Sequence, residues 1–239
     1  MRNKIILLFI VAFVVGWELS YFKLLREEKG RTLVTHAYYG DYLAVKEDVE
    51  NGAQLDYAFY FQDDERQYDG VWFNALQAAA SGGNEDTINF LIDQGMNINT
   101  QTPDGWTPLF IAARDGQADA ARLLIYRKAD LNTQTNLGAT PLLMTITQHY
   151  QSEAQRMELL AYLIRRGADP NLTDNNGFSP LYYAALSGRP AVVDFLLEYD
   201  ANPDTPLMAK TLTHLETLNT TPAKKITALI KKKLAKLKK

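Results

Sequence analysis

The chain has no cysteine among its 239 residues. That excludes disulfides, a thiolate zinc site and a thiol nucleophile, and it leaves the redox compartment open. Histidine is scarce: His36, His149 and His214 stand far apart in the sequence. No Gly-x-Ser-x-Gly, Gly-rich phosphate loop or His-Glu-x-x-His occurs. On these grounds no catalytic residue, no metal and no cofactor is expected. Positive charge is sparse along most of the chain. Thr32 to Asp204 carry 10 Lys or Arg against 24 Asp or Glu, a net of −14. Such a body argues against nucleic acid as a partner, because phosphates need a positive surface. The balance inverts from Thr205 to Lys239, where nine lysines face the single Glu216, a net of +8.

Long apolar runs are also lacking, with one exception. Arg2 and Lys4 precede an unbroken apolar stretch from Ile5 to Val15. A charged start and a short apolar core are the layout of a secretory signal. The only passable cleavage triplet is Val14-Val15-Gly16. Left uncleaved, the segment is a short anchor, because extending it to Leu25 takes in Glu18 and Lys23, whereas a spanning helix prefers roughly 20 apolar residues. Residues 1–26 are therefore read as a signal peptide or a signal anchor. The alternative is a buried helix packed on the first structural unit that follows it, residues 27–60. In the export readings the positive-inside rule puts Met1 in the cytoplasm and the remainder outside it. The expected location is the periplasm, either free or anchored to the inner membrane.

What the chain does have is repetition. Asp104-Gly105-Trp106-Thr107-Pro108-Leu109, Leu137-Gly138-Ala139-Thr140-Pro141-Leu142 and Asn176-Gly177-Phe178-Ser179-Pro180-Leu181 share one grammar. Gly105 to Gly138 is 33 residues, and Gly138 to Gly177 is 39, a period plus six. The glycine provides a turn with φ > 0, the hydroxyl an N-cap, and the proline sits at the first helical position, where a missing N–H is harmless. Paired alanines, Ala112-Ala113 and Ala184-Ala185, let a first helix pack closely. Leucine-rich stretches such as Leu123-Leu124-Ile125 and Phe195-Leu196-Leu197 supply a second helix. A closing glycine recurs at Gly52, Gly95 and Gly167 but is replaced by Lys128 and Asp200, whose helices should end under strain or with another cap.

This pattern resembles the ankyrin repeat. The resemblance implies an all-α solenoid of about six helix-turn-helix repeats with hairpin-like connecting turns. The expected repeats are 27–60 as an N-terminal cap, 71–103, 104–136, 137–175 with the insertion, 176–204, and 205–239 as a C-terminal cap with a basic tail. The histidines fall in different repeats, which keeps them apart. Residues 57–68 form an aromatic and then acidic insert. A second insert, around Gln148 to Glu153, should lengthen the turn between two helices and protrude.

The resemblance also implies a binding module without enzymatic activity. The ligand-facing positions in such arrays are the residue before the Thr-Pro-Leu motif and those after the alanine pair. The first column reads Phe73, Trp106, Ala139 and Phe178, with Asp104 beside it; the second includes Ser81, Arg114, Asp115 and Gln148. The resemblance implies a concave groove that holds the partner; Tyr182 and Tyr183 stand just inside the first helix of the fifth repeat, one expected to pack and one to face that groove, and Tyr60 and Phe61 lie in the first insert. These twelve side chains other than Ala139 are the candidate partner-binding residues, with aromatic and arginine character suited to a protein partner. The rival for Trp106 and Phe178 is packing from turn to turn. Some exported bacterial ankyrin proteins act as immunity proteins or adaptors for secreted effectors, so the expected partner is another protein, either a secreted effector or a periplasmic enzyme. The competing reading is a membrane-surface scaffold working through the N-terminal segment and the lysine tail. A third is a stabilising accessory of a periplasmic enzyme. Within the tail, Ile226, Leu229, Ile230, Leu234 and Leu237 share one helical face and should pack as the last helix of the cap.

Overall fold

The computed structural model describes residues 25–61, 71–148, 152–218 and 220–238, together with residue 23. The signal or anchor segment proper, residues 1–22, lies outside them, as do most of the first insert and residues 149–151 of the second. Among the described residues no helix is long and apolar enough to cross a membrane. The chain forms two compact units, Met1–Met96 and Asn97–Lys239.

The first unit contains helix α1 over 25–39, α2 (Tyr42–Glu50), strands β1 (Phe59–Phe61) and β2 (Val71–Phe73), α3 (Ala75–Gly82) and α4 (Glu85–Asp93). Leu33, Ala37 and Val45 are fully buried, while Val49 is half-buried. His36 Nδ1 lies 2.7 Å from Asp48 Oδ2 and ties α1 to α2. The first insert departs from a plain loop. Its aromatic start pairs antiparallel with the strand after it, Phe59 opposite Phe73, because alternating aromatic residues favour a pleated ladder. Helix α3 has no Thr-Pro start. Asn74 replaces it: its side chain accepts from Gln77 N while Gln77 Oε1 accepts from Asn74 N, a complete capping box.

The second unit carries four helix pairs: α5 (Pro108–Arg114) with α6 (Ala118–Tyr126), α7 (Pro141–Thr147) with α8 (Glu153–Arg165), α9 (Pro180–Leu186) with α10 (Pro190–Glu198), and α11 (Pro206–Leu218) with α12 (Thr221–Leu237). The first helices form one row, α5 on α7, α7 on α9 and α9 on α11. The hydroxyls of Thr107, Thr140 and Ser179 each accept from a backbone N–H three residues on, at 3.2 Å. Leu109, Leu124, Leu142, Leu159 and Leu196 are buried between the layers. Along the turn tips, Asn136 N donates to Asp104 O and Asn175 N to Leu137 O. Gly138 is obligatory there: φ is +79°, and a Cβ would stand 2.6 Å from Asn175 N.

At the far ends of the second helices a chain of asparagines links successive repeats. Asn99 Oδ1 accepts from Asp130 N, Asn132 Oδ1 from Asp169 N, and Asn171 Oδ1 from Asn202 N, all within 2.9 Å. Lys128 and Asp200, where glycine was missing, still take left-handed backbone at φ +70° and +61°. The cap is therefore of the glycine type, and the two residues carry the strain themselves.

The six added residues of the fourth repeat do not all enter a protruding turn. Helix α8 has 13 residues where α6 and α10 have nine. Four therefore lengthen the helix and two the turn. The extra helical turn places Arg156, 3 % exposed, with its guanidinium donating to the carbonyls of Thr145 and Ile146 at 2.7 and 3.1 Å. Arg189 donates to the same Ile146 carbonyl. Burial, then the neighbouring Arg156, lowers the Arg189 pKa, while Glu153 opposes the shift. Two cations thus hold the negative end of α7, as a helix C-terminus favours.

Candidate functional site

The twelve predicted partner-binding residues are divided between the two units, four in the first and eight in the second. Phe73 and Ser81 are buried, at 3 % and 1 % exposure, so neither presents a side chain to a partner. Phe73 belongs to a strand packed over the first unit, which is why it does not project as a turn tip. The backbones of Tyr60 and Phe61 lie in β1, and their side chains fall outside the description. Among the described side chains of that ribbon, the aromatic ring of Trp72 is exposed.

In the second unit the predicted tip aromatics fold back on their own helices. Trp106 stacks on Phe110, four residues on, with ring centroids 5.8 Å apart, and the Arg114 guanidinium lies over the Trp106 ring at 4.4 Å. Arg114 is itself bound to Asp115, Nε to Oδ1 at 2.7 Å and a terminal nitrogen to Oδ2 at 3.0 Å. Their side chains are 9 % and 0 % exposed. The pair is turned inward, and its charge is satisfied locally rather than offered to a partner. Gln148 caps the end of α7 and donates to Met144 Sδ at 3.9 Å. The Asp104 side chain is exposed on its turn.

Phe178 repeats the geometry of Trp106. Its ring is parallel to Tyr182, four residues on, at 4.5 Å, and both rings meet Tyr183 edge-on. Packing therefore runs from tip to helix within a repeat, because a residue before the N-cap faces the helix turn above it. Asp174 organises this cluster. Its Oδ1 accepts from the backbone of Asn176 and Phe178, and its Oδ2 accepts from the Tyr183 hydroxyl at 2.8 Å. Burial first, and then the hydrogen bond and charge of Asp174, push the Tyr183 pKa up to about 12.

Between these two stacked tips stands a repeat without a ring. Ala139 occupies the position of Trp106 and Phe178, and Leu143 that of Phe110 and Tyr182. The missing ring leaves an open recess of about 430 Å³ lined by Leu137, Ala139, Leu143, Met144, Thr147 and Tyr183, with Asp174 and two asparagines at its rim. Leu137 is 76 % exposed beside it. Of the predicted residues only Tyr183 reaches this recess. The signal that could have found it was Ala139, a small residue in an otherwise aromatic column.

Among the described residues no group of three His, Asp or Glu is placed to hold a metal ion. What the recess offers is an apolar hollow with a fixed tyrosine wall and a polar rim, the composition of a small recognition pocket.

Two family models of ankyrin repeats match the chain, one over residues 33–135 and the other over 148–197, together well over half its length. It is 32 % identical over 126 residues to an ankyrin repeat, SAM and basic leucine zipper domain-containing protein 1 from Dasypus novemcinctus, covering 53 % of this chain and 26 % of that protein. The counterpart from Neofelis nebulosa is 30 % identical over 187 residues, 74 % of this chain and 30 % of its own length. A putative ankyrin repeat protein of Fowlpox virus is 38 % identical over 55 residues, 23 % of this chain and 10 % of the viral protein. The chain thus spans under a third of the length of each of these relatives, which come from two mammals and a virus.

Proposed function

Because the chain belongs to the ankyrin-repeat proteins, we propose that it is a non-enzymatic binding module that seats an apolar side chain of a partner protein in the Ala139 recess. One observation carries this reading. Trp106 and Phe178 fill their own helices' surfaces, and the repeat between them leaves the equivalent space empty with Leu137 exposed at its lip. A leucine or aromatic ring from a partner would complete the row. A buried anchor of that kind commonly holds a disproportionate share of interface energy. Ankyrin repeats generally act this way, as protein-binding scaffolds.

The test is to fill the recess from within. Ala139→Phe reproduces the tip residue of the fifth repeat, so the fold is expected to be kept and its thermal midpoint not lowered. Co-purification of the wild-type chain and the variant, read by mass spectrometry, should show one dominant protein that the variant loses at least tenfold. A partner retained at full strength by Ala139→Phe would sink the assignment.

We propose further that this binding takes place outside the cytoplasm. The support is the sequence of the N-terminal segment, Arg2 and Lys4 before Ile5 to Val15. The animal and viral relatives lend no support to a bacterial origin. In an exported setting the partner would be a secreted effector, with this chain as its immunity or adaptor protein, or a periplasmic enzyme that it stabilises.

A further inference from the structure

Helix α12 packs on α10 and α11. Ala223, Ile226 and Ile230 are buried there, Leu229 and Leu234 are half-buried, and Leu237 at the helix end is exposed. The opposite side is of one chemical kind. Lys224, Lys225, Lys231, Lys232 and Lys236 are exposed, with Ala228 and Ala235 exposed among them. At helical spacing these seven fall within an arc of about 140°, along roughly 18 Å of helix. The helix contains no Asp or Glu. Lys233 stands apart, donating to the Leu197 carbonyl at 2.7 Å. Lys231 meets Glu216 in an exposed pair, the kind that solvent screens. Asp194 and Glu198 of α10 border the flank near Lys232 and Lys236. Among the described residues Lys224, Lys225, Lys232 and Lys236 form no ion pair.

A terminal repeat needs a polar outer face for solubility, but either sign of charge would serve. Here the lysines oppose an acidic body and bring the whole chain to −3. Net charge near zero works against solubility, so solubility does not explain the choice of sign. A flat cationic face on one helix suits a diffuse anionic surface. It has no arginine and no aromatic ring, the groups that read bases or stack on them, and lysine serves as a point charge without directional demands.

We propose that the lysine face of α12 is a docking surface for an anionic lipid bilayer. The charge pattern alone selects the surface, and the export reading adds only that a membrane is near. Each lysine close to an anionic bilayer adds about fivefold to partitioning. Ile226 and Ile230 stay in the fold and Leu237 alone offers a large exposed apolar side chain, at the helix end, so attachment is chiefly electrostatic and reversible by salt.

The experiment uses the full chain and sedimentation with vesicles of mixed phosphatidylglycerol and phosphatidylcholine, against pure phosphatidylcholine. The variant combines Lys224→Gln, Lys225→Gln, Lys232→Gln and Lys236→Gln; a companion carries arginine at the same four positions. The N-terminal apolar segment is present throughout, so its own affinity cancels. The wild type and the arginine chain should prefer the anionic vesicles, with binding that falls as salt rises. The glutamine chain should lose about a hundredfold or more of that preference with its circular dichroism unchanged. Equal binding by wild type and glutamine chains overturns the proposal. So does failure of the arginine chain to bind, a stronger preference of the wild type for duplex DNA, or salt-sensitive self-association without vesicle binding. Ala139→Phe should bind the same vesicles as wild type, which separates this face from the recess.

Discussion

Tyr183 is the residue whose surroundings speak most directly to a measurement. Its hydroxyl is half-buried and donates to Asp174, and its pKa stands near 12, above the usual value of about 10 for a phenol. The folded value is raised, so the unfolded chain releases this proton first. Stability from this group is therefore complete below pH about 10 and is lost as pH rises toward 12. An ultraviolet titration of the 13 tyrosines should show one late step that Tyr183→Phe removes. A late step that survives the substitution would remove the Asp174 bond from the account. At the same scale, the aromatic column was legible in the sequence while the direction of its rings was not. Trp106 and Phe178 turn onto residues four positions on, a choice made by the helix surface above each tip.

Helix α5 shows how one element is held. Thr107 caps it, Pro108 opens it, and Leu109 is fully buried. Leu109→Ala is expected to lower unfolding free energy by about 2–5 kcal/mol, since the space cannot collapse freely. Thr107→Ala should cost about 1 kcal/mol through the lost cap. Chemical denaturation of both variants checks the ranking, and two equally small effects would contradict the register. Helices with the Thr-Pro signal were legible because capping is local. The length of α8 was not, because the six extra residues carry no turn signal. What extends that helix is Arg156, which finds the open carbonyls at the end of α7 only once the two helices are side by side.

For the whole molecule, the arrangement of charge is the feature with the widest consequences. An acidic body ends in a cationic helix, and the apolar run from Ile5 to Val15 stands at the other end of the sequence. If that run directs export, a reporter enzyme that works only in the periplasm should be active when fused after Lys239. Silence of that fusion, with activity from a cytoplasmic reporter at the same site, would place the chain in the cytoplasm and leave its recess and lysine face to be explained there.

Period, turn glycines, caps and leucine faces were determined by the sequence alone. Each is an interaction between residues near in the chain, and the period repeats it until chance is excluded. The first two exceptions were also local in cause: Asn74 with Gln77 forms a capping box in place of Thr-Pro, and Lys128 and Asp200 accept left-handed backbone in place of glycine. Tertiary structure decided which candidate residues face outward. It buried Phe73 and Ser81, closed Arg114 onto Asp115 beneath Trp106, and opened a recess where Ala139 leaves room. The burial of Phe73 and Ser81 depends on what the rest of the fold places over them, which no local pattern records, whereas Trp106, Arg114 and Ala139 are settled within a repeat, by side-chain directions that a list of residues does not give.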